Sequence, residues 1–246
     1  MRRKRTAMDR YLAEILRAHG GGDRYARFGE VRATIVTGGE LWALKGVPQD
    51  PAPRDMTVWL HEERASLRPY GAPDQRTDFT PGRVAIEKPD GTVVAERGDP
   101  RSHFAGHTMT TPWDALDRAY FNGYALWTYL TTPFLLAGPG VTVTGIGTWR
   151  EEDETWRGLR ATFPEDVATH SREQDFYFDD ALRLRRYDYH VEIAGGFACA
   201  QYVYDYVEAQ GLRMPSKRRV HLRAEDGSPR RDTLLVSIDV SDVHYV

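Results

Sequence analysis

His103 and His107 lie four residues apart in Ser102-His103-Phe104-Ala105-Gly106-His107. On a helix, that spacing puts both imidazoles on one face, where they could hold a metal ion. Gly106 weakens a helix, however, and no Glu follows His103 as the zinc-protease pattern requires. The expected arrangement is a loop with one ring packed and the other hydrogen-bonded. Either could act as acid or base if a pocket enclosed it. Tyr124 and Tyr204 join them as candidate catalytic groups, with Asp114 beside them. Arg101 could grip a carboxylate or phosphate; a salt bridge to Asp114 or Asp117 is the expected alternative. Cys199 is the only cysteine, which excludes an internal disulfide and a zinc site with several Cys ligands. Within Gly195-Gly196-Phe197-Ala198-Cys199-Ala200 it reads as a small buried residue rather than a nucleophile.

Other chemistry-bearing patterns are missing. Gly145-Ile146-Gly147 lacks the third glycine and the strand-to-helix context of a dinucleotide fingerprint. There is no phosphate-binding P-loop, and Ser66, Ser102, Ser171 and Ser237 lack a nucleophile-elbow setting. Glu151-Glu152-Asp153-Glu154 reads as a solvated turn. Lys217-Arg218-Arg219 would alternate across a strand and make no basic groove. A formal charge of -3 gives no general affinity for nucleic acid. No metal, cofactor or nucleic-acid partner is expected.

Aromatic residues carry more information. The segment AYFNGYALWTYLTTPFLL follows Thr110-Thr111-Pro112, and Trp113, Leu116, Tyr120, Tyr124 and Trp127 recur every three or four residues. Ala119, Gly123 and Leu130 widen that stripe. The spacing predicts a helix over about 112–136, capped by Thr110 or Thr111, with Pro112 in its first turn and Asp114 near its positive end. Pro133 bends or ends it. Tyr and Trp combine apolar area with a polar tip, which suits a pocket for a large, partly oxygenated guest. Candidate ligand-lining residues are Tyr120, Phe121, Tyr124, Trp127, Tyr129 and Phe134 from the helix, with Phe176, Phe178 and Tyr189 from strands. A plain core is the alternative reading. Tyr202, Tyr204 and Tyr206 form a ladder that could pack outside the sheet or face a cavity.

The elements around this helix are mostly strands. An N-terminal helix is expected at about 7–19, with Met8, Tyr11, Leu12, Ile15 and Leu16 in one stripe and Gly20-Gly21-Gly22 ending it. A first strand series spans about 29–97: Val31 to Val36, Leu41 to Val47, Met56 to Leu60, Ala65 to Tyr70, Arg83 to Glu87 and Thr92 to Glu96. Pro48 to Asp55 reads as a surface loop. A second series fills about 141–246: Thr142 to Arg150, Thr155 to Phe163, Gln174 to Asp179, Leu182 to Ile193, Ala200 to Val207, Arg213 to Arg223 and Leu234 to Tyr245. Turn residues separate them in the meander pattern, each strand beside its sequence neighbour. Leu182 and Leu184 have the opposite parity to Tyr187, Tyr189, Val191 and Ile193. A bulge near Arg185-Arg186 would bring all six to one side and turn Asp188, His190 and Glu192 toward solvent. The expectation from these residues is a single α+β domain, 1–246: a large curved antiparallel meander, sheet or barrel, wrapping one long aromatic helix, plus the N-terminal helix; the half-barrel form is what the resemblance below implies.

This order of elements resembles the half-barrel lipoprotein carriers, the LolA-like and LppX-like hydrophobic-ligand-binding proteins. Phe176-Tyr177-Phe178-Asp179-Asp180 followed by Leu182-Arg183-Leu184-Arg185 carries the likeness locally. So does Gly211-Leu212-Arg213-Met214-Pro215, similar to that family's entry to a late strand. The resemblance implies a wide sheet around helices that leaves a hydrophobic cavity. The chain is expected to depart from that pattern, since no signal peptide and no lipid-attachment cysteine near the start are read in it. MRRKR is followed by no apolar h-region, since Asp9, Arg10, Glu14 and Arg17 interrupt Met8 to Ala18. A cytoplasmic location is expected, without stable membrane insertion, and the basic pentapeptide reads as a solvated tail. The expected function is binding of a hydrophobic small molecule, lipid or polyketide-like. A cofactor-independent cyclase or isomerase working by acid–base catalysis in the same cavity is the alternative, and a protein-interaction module the third reading. The oligomeric state stays open.

Overall fold

Alternating burial along the strands shows how the chain folds. In β1 (Glu30–Gly38), Val31, Ala33 and Ile35 are buried while their neighbours are not. That is the period-two pattern of a strand with one face on a core. The computed structural model describes residues 6–48 and 51–246. The basic pentapeptide, and two residues of the loop expected from Pro48 to Asp55, lie outside the described residues.

The first strand series continues with β2 (Arg54–Trp59), β3 (Ala65–Arg68), β4 (Arg76–Thr80), β5 (Arg83–Glu87) and β6 (Val93–Gly98). The second comprises β7 (Thr142–Glu151), β8 (Glu154–Thr162), β9 (Glu173–Phe178), β10 (Leu184–Val191), β11 (Phe197–Ala209), β12 (Leu212–Arg223), the short β13 (Pro229–Arg230) and β14 (Val236–Tyr245). Helices are α1 (Ala7–Ala18), α2 (Gly22–Tyr25), α3 (Leu41–Leu44) and α4 (Ala115–Thr131). The strands form one antiparallel sheet in the order β6-β5-β4-β3-β2-β1-β14-β12-β11-β10-β9-β8-β7, with β13 beside β12. This is the α+β half-barrel expected from the sequence.

Most neighbours in the sheet are neighbours in sequence. The exception joins the two halves: β14 pairs with β12 on one side and returns to β1 on the other, placing Tyr245 opposite Val31. Register shifts interrupt β1 at Arg32/Thr34, β5 at Ile86/Glu87, β7 at Gly145/Gly147 and β10 at Leu184/Arg186. Bulges bend and twist strands, and these four help curve the sheet. The shift in β10 lies where the parity change placed it.

Helix α4 fills the concave side. Every residue from Asp117 to Thr131 is buried, the condition of a helix surrounded by protein. Gly123 permits the closest approach, because a Cβ there would overlap the Phe79 ring. The helix starts later than expected. Asp114, not a threonine, caps it, and a reciprocal capping box links Asp114 and Asp117. A carboxylate both caps and complements the helix dipole. Pro112 therefore stands outside the helix, which ends at Thr131 just before Pro133.

Four further expectations are corrected. Leu41 to Val47 is not a strand: Leu41 and Trp42 pack inward from the single turn α3. β4 was not anticipated, because Arg76-Thr77-Asp78-Phe79-Thr80 turns only Thr77 and Phe79 to the buried side. Arg101 does not reach Asp114 or Asp117. Arg97 takes both carboxylates, at 2.6 and 2.7 Å, and Arg101 bonds Thr169 O and Glu192.

The fourth concerns Asp188, which is buried rather than solvent-facing. A second apolar cluster of Trp156, Tyr177, Ala200 and Tyr202, with Trp149, covers the outer face of this part of the sheet. Arg186 lies fully buried within it, bonds Asp188 through two nitrogens at 2.7 and 2.8 Å, and sits 4.2 Å from the Trp149 ring. His190 is exposed as expected.

Candidate ligand cavity

A cavity of about 580 Å³ opens at the N-terminal end of α4, within the range of small-molecule sites. Four segments wall it: Gly46 to Pro48 after α3, Arg54 at the start of β2, Pro69 to Pro73 between β3 and β4, and Trp113, Ala115 and Arg118 where α4 begins. The proline-flanked turn is stiff, and its Gly71 takes a positive φ of 76° that favours glycine.

Hydrogen bonds fix the walls. Tyr70 donates its hydroxyl proton to Ala115 O at 2.6 Å. The backbone N–H of Trp113 donates to Lys45 O at 2.8 Å, and the Lys45 ammonium lies 4.5 Å from the indole ring. Burial pushes the Lys45 amine down to about 8. Arg118 stacks its guanidinium 4.7 Å from the Trp42 ring and donates to Pro48 O. Arg54 donates to the Thr37 hydroxyl at 2.6 Å. Burial raises the Tyr70 hydroxyl pKa, while the nearby charges of Arg118 and Arg54 pull it down. The site is thus an apolar cleft with two guanidinium groups in its wall.

No family model matches the chain, and no curated protein matches it in sequence. Solved structures match its shape. A LolA superfamily protein from Nitrosomonas europaea superposes with a TM-score of 0.52 at 9% identity, over 95% of this chain and 91% of that one. A DUF1329 family protein from Desulfovibrio piger gives a TM-score of 0.51 at 11% identity, over 96% and 92%. The fold is LolA-like. At such identities the likeness concerns the fold alone.

Beyond the cavity the half-barrel is filled. Phe121 packs behind Trp113, with ring centroids 5.0 Å apart. Tyr120 packs on Phe79 and Phe104, Trp127 donates its indole N–H to Trp59 O, and Phe134 stacks on Tyr25. Phe176 stacks on Tyr187, and Phe178 is fully buried. Tyr124, Tyr129 and Tyr189 gather around His170, a residue the sequence reading passed over. Its Nε2 lies 2.6 Å from the Tyr129 hydroxyl and its Nδ1 3.2 Å from that of Tyr124, and its ring stacks on Tyr189 at 4.0 Å. Burial, with the charge of Arg101, holds its pKa well below the ordinary value. The neutral ring has one donor and one acceptor nitrogen, so one tyrosine donates a hydrogen bond to it and the other accepts one from it. Arg218 closes this core, donating to Gln201 Oε1 and Tyr129 O, each at 2.8 Å. A residual void near Asn122, Tyr129 and Tyr189 measures about 20 Å³, room for a single water. None of the nine aromatics expected to line a ligand site borders the 580 Å³ cavity.

The catalytic candidates do not converge. His103 Nδ1 lies 2.9 Å from Asp117 Oδ1 in a short 3₁₀ segment, and the His107 ring is 5.6 Å away. Tyr124 is buried on His170. Tyr204 is 39% exposed. The tyrosine ladder splits: Tyr202 joins the outer cluster, whereas Tyr206 reaches Leu184 O and His19 beyond the left-handed residue Asp205. Burial raises the thiol pKa of Cys199, which keeps it protonated and unreactive. Among the described residues, no group of three or more His, Cys, Asp or Glu could hold a metal ion, and no helix is long and apolar enough to cross a membrane.

Proposed function

We propose that this protein binds a hydrophobic small molecule, lipid or polyketide-like, in the cavity between Trp113 and the Pro69–Pro73 turn. The cavity itself carries the reading: it is a preformed hollow of about 580 Å³ with proline, valine and tryptophan walls. Burying an apolar chain there yields about 25 cal/mol per Å² removed from water. Its floor is rigid, because Trp113 is held from below by Phe121 and at its backbone by Lys45. Among the described residues the lining holds no histidine or carboxylate, so no observation favours the cyclase or isomerase alternative over binding.

Native mass spectrometry of the purified protein, and titration with an apolar fluorescent probe, test the proposal. A co-purifying apolar mass, or saturable probe binding that Ala72→Trp abolishes, is the expected result. Ala72 is a half-buried residue of the turn that lines the cavity, away from the buried core, so an indole there should fill the cleft. Probe binding unchanged in Ala72→Trp, or no saturable binding in the parent protein, overturns it.

A further inference from the structure

We infer that the loop from Phe163 to Arg172 is a hinged strap: its His170 plugs the aromatic core, Glu63 latches it across the half-barrel, and ionisation of that carboxyl lets it lift. The inference is independent of the binding reading above. The loop joins β8 to β9, and across its base the Phe163 N–H donates to Arg172 O at 2.9 Å. Compact loops with their ends held together are frequently functional. Its middle, Glu165 and Asp166, is exposed, whereas Thr169, His170 and Ser171 are buried. The His170 ring fills the space between Tyr124, Tyr129 and Tyr189.

Glu63 reaches the loop from the turn between β2 and β3, 105 residues away in sequence. Its Oε2 accepts the Ala168 N–H at 3.1 Å. Its Oε1 is buried and has no partner among the described residues. A protonated carboxyl fits that setting; a carboxylate would leave a buried charge poorly paired. Arg101 also holds the loop, through Thr169 O at 3.1 Å, but its ion pair is with Glu192 at 2.7 Å. The charged or titratable groups facing Glu63 are Asp166 on the loop, Arg101, and the Tyr120 hydroxyl on α4. Burial, with Asp166 adding to it, outweighs the Ala168 N–H and Arg101 and pushes the carboxyl up to about 8. Once lifted into water it would ionise at its ordinary 4.5. Between those values the closed loop holds a proton that the lifted loop releases, so the lifted population grows about tenfold per pH unit. His170 acts the other way only below its ordinary 6.5, where the lifted ring gains a proton that the buried ring lacks. From 6.5 to 8 the opening therefore follows Glu63.

The only cysteine reports on the strap. Cys199 is buried and lies opposite Tyr189 in the β10–β11 register, and Tyr189 stacks on His170. Directly opposed residues share a sheet face. Labelling of Cys199 with methyl methanethiosulfonate, followed on the full chain by mass spectrometry and divided by the rate of free cysteine at the same pH, tests the inference. The normalised rate should rise about tenfold per pH unit between 6.5 and 8, and stay flat in Glu63→Gln, whose amide does not ionise. His170→Ala should label about tenfold faster at pH 6.5, having lost two hydrogen bonds. The rates should barely change in 1 M urea, because a local opening exposes little surface. If Glu63→Gln fails to fold, hydrogen exchange of the parent decides: Ala168 to Ser171 should lose protection over the same window while β10 and β11 keep theirs. An absent or pH-independent rate, a rise that Glu63→Gln retains, a steep urea dependence, or protection lost uniformly overturns the strap.

Discussion

The two ends of α4 face opposite conditions. Around Tyr124 and Tyr129, each phenol meets a partner inside the protein, and His170 is held between two of them. Around Trp113 and Arg118, the helix borders open space walled by loops. Aromatic density therefore marks where the half-barrel is shut rather than where it is hollow. A tyrosine tip suited to a guest is equally suited to a neighbouring side chain, and in a sealed core it must take the neighbour. The open end is walled by Gly, Ala, Pro and Val beside Tyr70, Trp113, Arg54 and Arg118, residues from four separate segments that leave a gap between them.

That contrast can be broken by substitution. Tyr124→Ala should have the largest effect, about 3–5 kcal/mol of stability in urea denaturation, as for other large aromatics removed from a core. It strips packing from Tyr120, Phe121 and His170 together. A loss below about 1 kcal/mol would mean that the closed end is loose. Gly123→Ala should cost about 1–3 kcal/mol by overpacking against Phe79; a neutral result would show that the helix can shift away from β4.

A smaller effect should appear in the pH dependence. Glu63, between β2 and β3, accepts a hydrogen bond from the Ala168 N–H at 3.1 Å. Burial pushes its carboxyl up to about 8 from an ordinary 4.5, with Asp166 adding to the rise and the Ala168 N–H and Arg101 opposing it. Between those values the folded state holds a proton that the unfolded state has released, so stability falls as pH rises through that window and levels off above it. Glu63→Gln should flatten that part of the melting-temperature profile; an unchanged slope would remove Glu63 as its source. The smallest stability change belongs to the open end. Ala72→Trp should leave the denaturation midpoint within about 0.5 kcal/mol of the parent while abolishing probe binding.

Much of the fold was legible because strand periodicity survives in the sequence. The reversed parity between Leu184 and Tyr187 even located the β10 bulge. The misreadings have local causes. Leu41-Trp42-Ala43-Leu44 is an apolar run too short to separate a buried helical turn from a strand. Asp188 looked exposed because alternation says which side of a sheet a residue takes, not whether Trp149, Tyr177 and Tyr202 cover that side. The return of β14 to β1 is a long-range pairing with no local sign. His170 stands alone in Ala168-Thr169-His170-Ser171 with no spacing motif. Its only hint was a helix with phenols that would need partners once buried. The cavity left no trace in the pattern because four separate segments make it, and Arg54 and Arg118 meet there only after folding.

Photo-crosslinking with a diazirine-bearing dodecanoate, mapped by peptide mass spectrometry, tests the central claim most directly. The account predicts labels on peptides carrying Gly46–Pro48, Pro69–Pro73 and Trp113–Arg118. Labels concentrated instead on Phe176–Tyr189 and the C-terminal half of α4, or no specific label at all, would contradict it.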